Sequence, residues 1–217
     1  MKQTINVNEI FYSIEGEGKR AGAACVFVRT HGCNLDCRYC DTQYAKTNDG
    51  ILMNIEDVLK QIEQYKCKNV TLTGGEPLNQ LNTVLLIGAL IKRGYEVNIE
   101  TNGSIPLDFF DRYDGKLFFT IDWKTTCSGE TKAMHRKNLL QLKPSDVLKF
   151  VVGSKEDLEE AKEIISYLPT SPEIFISPVF GKIKTIDIVD YIKAEGLPAR
   201  VQIQLHKYIW GENGKGV

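Results

Sequence analysis

The sequence has no apolar run long enough to cross a bilayer; its longest candidate, Val84 to Ile91, amounts to about two helical turns. The opening residues MKQTINVNEIFYS carry neither the apolar block nor the small-residue cleavage site of a secretory signal, so a cytoplasmic protein without membrane attachment is expected. An excess of one charge sign is also lacking. The 27 basic and 28 acidic side chains leave a net charge of -1, which argues against a chain whose main task is gripping nucleic acid. No linker, repeat or low-complexity stretch marks a second domain, so residues 1–217 are expected to fold as a single domain. At 42% hydrophobic residues the chain is too apolar to be disordered, and at this mass it buries roughly 70% of its unfolded surface. Scattered cysteine pairs are missing as well. Of the six cysteines, at 25, 33, 37, 40, 67 and 127, three fall within eight residues, which points away from a disulfide scaffold and towards metal or redox chemistry.

Short apolar strands alternate with amphipathic helices. Strands are expected at Ala24–Arg29, Asn69–Thr73, Tyr95–Glu100, Lys116–Ile121, Val147–Val152, Glu173–Ser177 and Arg200–Gln204. Helices are expected from an Asn54 cap through Val58, Leu59, Ile62 and Tyr65, from Asn79 to Arg93, from a Ser154 cap to Tyr167, and from Thr185 to Ala194. The stretch up to Leu140 holds no convincing long helix. This rhythm predicts parallel βαβ units. The chain is short for a full eight-unit barrel of about 250 residues, so a reduced or partial (β/α)6 TIM-like barrel is expected, with a doubly wound open sheet as the alternative. Either fold brings Cys33, Gly74, Asn102, Asp122 and Ser177 to the strand C-termini, where α/β proteins build their sites.

The strongest chemical signal is Cys33-Asn-Leu-Asp-Cys37-Arg-Tyr-Cys40. Structural zinc takes four protein ligands, and His31 stands too close to Cys33 to serve comfortably as the fourth. A catalytic zinc with three cysteine ligands remains open, but three thiolates holding three irons of a cubane cluster fit better, with one iron left for another ligand. Cys25, on a strand, and Cys67, at a helix end, read as packing residues, while Cys127 sits in a polar loop. Thr73-Gly74-Gly75-Glu76-Pro77 supplies glycines for close backbone approach, and Glu76 either supports a nearby ammonium or fixes the turn.

The C-x3-C-x2-C spacing, Tyr39 before the third cysteine and the Gly-Gly-Glu-Pro segment resemble the radical S-adenosylmethionine (SAM) superfamily. Within it, Ile10-Phe-Tyr-Ser-Ile-Glu-Gly-Glu-Gly18, the strand ending at Arg29, Cys40-Asp41-Thr42, Glu100-Thr-Asn-Gly103, Asp122-Trp-Lys124 and Gln204-Leu-His-Lys-Tyr208 are similar to the 7-carboxy-7-deazaguanine synthases. The resemblance implies one [4Fe-4S] cluster on Cys33, Cys37 and Cys40. It implies SAM contacts from Tyr39, Cys40, Asp41, Gly75, Asp122, Trp123, Lys124, Ser177, Pro178, Val179 and Phe180. A 6-carboxy-5,6,7,8-tetrahydropterin substrate would meet Ile14, Glu15, Gly16, Arg29, Thr73, His206 and Val217, with Mg²⁺ at Thr42. A guanidinium such as Arg29 suits the substrate carboxylate. The family's usual glutamine is here Glu15, which accepts but cannot donate when ionised.

The implied activity is a carbon–nitrogen lyase reaction in queuosine and deazapurine biosynthesis, with radical ring contraction to 7-carboxy-7-deazaguanine and loss of ammonia. The resemblance also implies a homodimer, supplied with electrons by an external one-electron donor such as flavodoxin or ferredoxin. Two competing readings are a radical-SAM activase that makes a glycyl radical on a partner enzyme, and a non-catalytic metal-binding module.

Overall fold

The same alternation of apolar and polar positions that marks the strands decides how the sheet is clothed. In the computed structural model, which describes residues 3–47, 49–108, 110, 115–211 and 216, nine strands form one sheet. In chain order they are β1 (Thr4–Ile14), β2 (Ala24–Thr30), β3 (Ile51–Asn54), β4 (Asn69–Gly74), β5 (Glu96–Thr101), β6 (Leu117–Trp123), β7 (Val147–Val152), β8 (Glu173–Pro178) and β9 (Arg200–Val201). Their spatial order is β3-β1-β2-β4-β5-β6-β7-β8-β9. From β2 onward every neighbouring pair is parallel, whereas β1 runs antiparallel to both β2 and β3. The result is a partial barrel opened by an antiparallel edge.

Among the described residues six α-helices accompany the strands: α1 (Tyr44–Thr47), α2 (Ile55–Glu63), α3 (Thr83–Lys92), α4 (Lys155–Ser166), α5 (Thr185–Glu195) and α6 (Leu205–Trp210). Val70, Leu72, Val97, Ile99, Ile121, Trp123, Leu148, Phe150, Ile174 and Ile176 join one core with Val58, Leu59 and Ile62 of α2 and Leu86, Ile87 and Leu90 of α3. Burial of each such side chain contributes roughly 2–3 kcal/mol. The intervening residues, Thr71, Thr73, Asn98, Glu100, Thr120, Asp122, Lys149 and Ser177, take the other face of the sheet by strand alternation. That inner face mixes these polar groups with Phe27, Phe118, Val151 and Phe175. Thr120 donates to Asn98 at 3.0 Å, and Lys149 lies 3.8 Å from Asp122.

Several boundaries differ from those read in the sequence. The expected helix from Asn79 is a 3-10 turn at Pro77–Asn79 followed by α3 at Thr83, because the Glu76 carboxylate accepts the Leu78 N–H and caps the turn first. Asn54 does not cap α2 through its side chain; its amide donates to Asp57 at 3.3 Å instead. Ser154 and Asp157 do form a reciprocal capping box at α4. The final strand stops at Val201, and residues 202–204, expected to continue it, are irregular chain that leads into α6. Among the described residues no helix is long and apolar enough to cross a membrane.

Candidate functional site

Strand β2 delivers the cysteine loop to the C-terminal edge of the parallel strands, and backbone hydrogen bonds hold it there. Gly32 N–H donates to the Ala45 carbonyl at 2.8 Å, and Arg38 N–H to the Ser128 carbonyl at 3.0 Å. Asp36 N–H donates to Glu130 at 2.8 Å while its carboxylate pairs with Lys46 at 2.5 Å. Cys33, Cys37 and Cys40 are free, half-buried thiols on this one loop. The Leu35 N–H points at Cys33 Sγ at 3.5 Å and the Asn102 amide at 3.8 Å.

The adjacent Gly74-Gly75-Glu76 turn is built for close approach. A Cβ on Gly75 would collide with the Gly32 carbonyl and come within 2.9 Å of Cys33 Cβ. Glu76 resolves its two sequence readings in favour of the turn. Its carboxylate accepts from Leu78 N–H at 2.9 Å, Thr101 Oγ1 at 2.9 Å and Asn102 N–H at 2.7 Å, tying the ends of β4 and β5 together beneath the loop.

Among the described residues no group of three or more His, Cys, Asp or Glu side chains already stands as a metal site. The donor set nevertheless fits an iron–sulfur cluster. It offers three soft thiols on one loop, N–H donors on one sulfur and no fourth ligand in the motif. Burial pushes the Cys37 thiol up to about 11 and raises Cys40 as well, so in the metal-free chain both remain protonated. At the loop lie two buried polar atoms without a protein partner, Tyr39 Oη and Asp122 Oδ1, which suits a polar ligand beside the cysteines, and Ser177 Oγ near the end of β8 is likewise unpartnered.

The structure brings most of the expected residues to this end of the barrel. Lys124 Nζ pairs with Asp122 at 3.0 Å and stands 5.6 Å over the Tyr39 ring. Asp41 pairs with Lys207 at 3.0 Å and accepts from Thr42 Oγ1 at 2.9 Å. Gly16 accepts the Leu205 N–H at 3.0 Å, and its lack of a Cβ makes room for the His206 ring. Burial lowers the His206 pKa against the pull of Glu17 and Asp41, keeping the imidazole neutral near pH 7. Arg29 gives its Nε to Glu9 at 2.7 Å and lies beside the rings of Phe11 and Tyr44. Thr73 hydrogen-bonds Glu100.

Other expected residues stand differently. Trp123 belongs to the apolar core behind the sheet, leaving only its backbone for a ligand. Ile14 ends β1 half-buried, Pro178 ends β8, and Val179 N–H donates to the Val152 carbonyl at 2.7 Å. Phe180 is 65% exposed. Glu15 is only 1% exposed, and its carboxylate is bound by Arg20 at 2.8 Å and by the Thr71 hydroxyl, so its charge is satisfied within the protein. Val217 lies outside the described residues, but Gly216 stands beside Glu9, the partner of Arg29.

Three charges that meet at the inner face escaped the sequence reading as site residues: the buried Lys149 and the half-buried Glu17 and Glu100. Lys149 Nζ meets Glu17 at 2.9 Å. Burial, reinforced by Glu15, pushes Glu100 up to about 7, although Lys149 and Thr73 favour its ionised form. The available signals were Lys149, a lone charge inside the apolar run Val147-Leu-Lys-Phe-Val-Val152, and the presence of Glu17 and Glu100 in two of the segments that carry the family resemblance. By contrast, the depression of about 570 Å³ along α4, walled by Glu156, Glu159, Glu160 and Glu163, contains none of these groups.

Comparison with known proteins converges on one family. A model of the radical SAM superfamily matches residues 27–169. The chain is 44% identical to a 7-carboxy-7-deazaguanine synthase of Clostridium acetobutylicum, over 97% of this chain and 98% of that one. It is also 44% identical to one from Methanospirillum hungatei, over 94% and 85% of the two chains. Its fold is similar to that of crystalline QueE from Escherichia coli, with a TM-score of 0.74 at 24% identity over 93% of this chain and 96% of that one.

Proposed function

The chain belongs to the 7-carboxy-7-deazaguanine synthases of the radical SAM superfamily, and on that premise we propose which of its residues hold cluster, SAM and pterin. It converts 6-carboxy-5,6,7,8-tetrahydropterin to 7-carboxy-7-deazaguanine and ammonia. The observation that carries the site assignment is the meeting of the three-thiol loop, the Gly75 turn and the unpartnered Asp122, Tyr39 and Ser177 atoms at one end of the barrel.

Cys33, Cys37 and Cys40 hold the [4Fe-4S] cluster. When bound, the cluster and SAM supply the one-electron chemistry that starts and ends the hydrogen transfer from the pterin. The protein's own residues bind, orient and keep water out. Gly75 presents bare backbone next to Cys33, and the Asp122–Lys124 pair offers an acceptor and a cation to the amino-acid and ribose groups of SAM. The terminal nitrogens of Arg29, with Nε fixed on Glu9, provide a fork for the pterin carboxylate. Glu100 and Glu17 accept from the N–H edge of the pterin, and neutral His206 offers a ring nitrogen on the same side. Ile14 and Gly16 contribute backbone, and Thr73 orients Glu100.

Thr42 is the proposed Mg²⁺ ligand, with the Asp41 carboxylate holding its hydroxyl. The proposal also includes a single domain acting as a cytoplasmic homodimer, with electrons delivered by flavodoxin or ferredoxin. The test is anaerobic incubation of the reconstituted chain with SAM, a reductant, Mg²⁺ and the carboxypterin, followed by mass detection of the deazaguanine acid. Brown protein with about four irons per chain and formation of the acid is the expected result. Colourless protein carrying one tightly bound zinc would overturn it.

A further inference from the structure

Lys149 is 8% exposed, in the middle of β7, with Leu148 and Phe150 on either side belonging to the apolar core. A lysine in such a place needs anionic partners. Its Nζ lies 2.9 Å from Glu17 Oε2 and 3.8 Å from Asp122 Oδ2. The same Asp122 oxygen is held by Lys124 at 3.0 Å. The other oxygen of each carboxylate, Glu17 Oε1 and Asp122 Oδ1, is buried without a protein partner. Each carboxylate therefore spends one oxygen on a lysine and keeps one available.

We propose that Lys149 is a positioning residue that fixes Glu17 and Asp122 by one oxygen each, leaving the second oxygen of each as an acceptor for bound ligand. The pocket thus requires a ligand surface that presents N–H or O–H donors on two sides. Lys149 stands where the two half-sites meet. Glu17 follows β1 beside His206 and Gly16, whereas Asp122 ends β6 beside Lys124, Tyr39 and the cysteine loop. The inference rests on the pterin and SAM reading of this pocket and adds to it the residue that joins the halves.

The charges facing Lys149 decide what its loss does. They are Glu17 from the loop after β1, Glu100 from β5, Asp122 and Lys124 from β6, and Asp41 beyond them; His206 of α6 faces Glu17 from the other side. Glu15 lies below and is already paired with Arg20. Removing the ammonium leaves three carboxylates with only Lys124 among them. Protonation of Glu100 then becomes easier, and Glu17 loses the bond that sets its rotamer.

The experiment measures two quantities on wild type, K149R, K149Q, E17Q and the double variant E17Q/K149Q. One is anaerobic calorimetric binding of the carboxypterin between pH 6 and 9. The other is titration of the ¹³C-labelled Glu100 carboxyl in the ligand-free chain. K149Q is expected to weaken binding about tenfold or more at pH 7 and to move the Glu100 midpoint above its wild-type position. K149R restores both, and E17Q/K149Q binds no more weakly than K149Q alone, because both changes remove the same arrangement. A K149Q chain with wild-type affinity and an unmoved Glu100 midpoint overturns the proposal. If K149Q does not fold, E17Q decides with Lys149 in place, since wild-type affinity in E17Q overturns it equally. Wild type that fails to bind the carboxypterin while K149Q still moves the midpoint defeats the pterin reading and supports the electrostatic role of Lys149.

Discussion

The side-chain amide of Gln202 accepts the Gly18 N–H at 2.8 Å and donates to the Gly18 carbonyl at 3.1 Å, so two residues 184 positions apart pair as neighbouring strands would. The contact joins the loop after β1 to the chain just beyond β9, where the sheet itself has ended. A side chain thus bridges part of the gap that the backbone leaves in the partial barrel.

Gln202→Ala removes both bonds and leaves the buried Gly18 N–H unpaired, while the Gly18 carbonyl keeps only the Ala21 N–H at 3.3 Å. The expected cost is about 2–4 kcal/mol, read as a lower midpoint in denaturant at unchanged slope. Because Gly16 and Glu17 share that loop, KM for the pterin is expected to rise more than kcat falls. A variant as stable as wild type would show that solvent reaches these groups.

Glu15→Gln separates stability from binding. The Glu15 carboxylate is held by Arg20 and Thr71. The amide keeps the Thr71 contact and loses the ionic one, for an expected cost of about 1–3 kcal/mol with kcat/KM within about threefold of wild type. A large fall in kcat/KM at unchanged stability would place this side chain on the substrate instead.

Gly75→Ala forces a methyl group against the Gly32 carbonyl and Cys33 Cβ. The backbone contacts there are too rigid to yield cheaply, so the cysteine loop must shift. Iron and sulfide per chain after anaerobic reconstitution should fall well below wild type, whereas Gly94→Ala, with nothing within 4 Å of its Cβ position, should retain full loading even if its positive φ costs stability. Equal loading in Gly75→Ala and wild type would count against the cluster site.

Glu100 fixes the sign of a pH effect. Its folded pKa is raised from 4.5 to about 7, so the stability it contributes is full below about 4.5 and is lost as pH climbs through 7. Glu100→Gln removes that loss and is expected to gain on wild type in thermal stability between pH 5 and 8. Pterin affinity runs the opposite way. It should weaken in wild type as pH falls through about 7 and should lose this dependence in Glu100→Gln, along with most of its strength.

Much of this arrangement was legible in the residues. Parallel strands and amphipathic helices announce themselves when apolar positions recur at the right period, as in Ile55, Val58, Leu59 and Ile62. The cysteine spacing and Gly75 could be read because their chemistry demands particular residues at particular distances. What stayed hidden were elements without that contrast. β3 is a four-residue edge strand with mostly exposed side chains, and β1 is half-buried along most of its length, so neither alternates clearly. The turn from β9 into α6 was missed because Leu205–Trp210 buries no residue completely. The charged inner face was hidden for a different reason. Polarity ordinarily signals solvent, yet Lys149 is buried and pairs with Glu17 inside the barrel.

The docking of α6 also has a consequence in time. Leu205 N–H on the Gly16 carbonyl, Lys207 on Asp41 and Gly216 beside Glu9 bring this late segment against β1, the loop after it and the cysteine loop. On the ribosome, all three cysteines of the loop emerge long before the segment that docks on Asp41 beside them. Until that segment has emerged, the nascent chain holds its thiols on a loop that lacks the Lys207 anchor, so iron inserted so early would enter an unfinished and oxidant-accessible vessel.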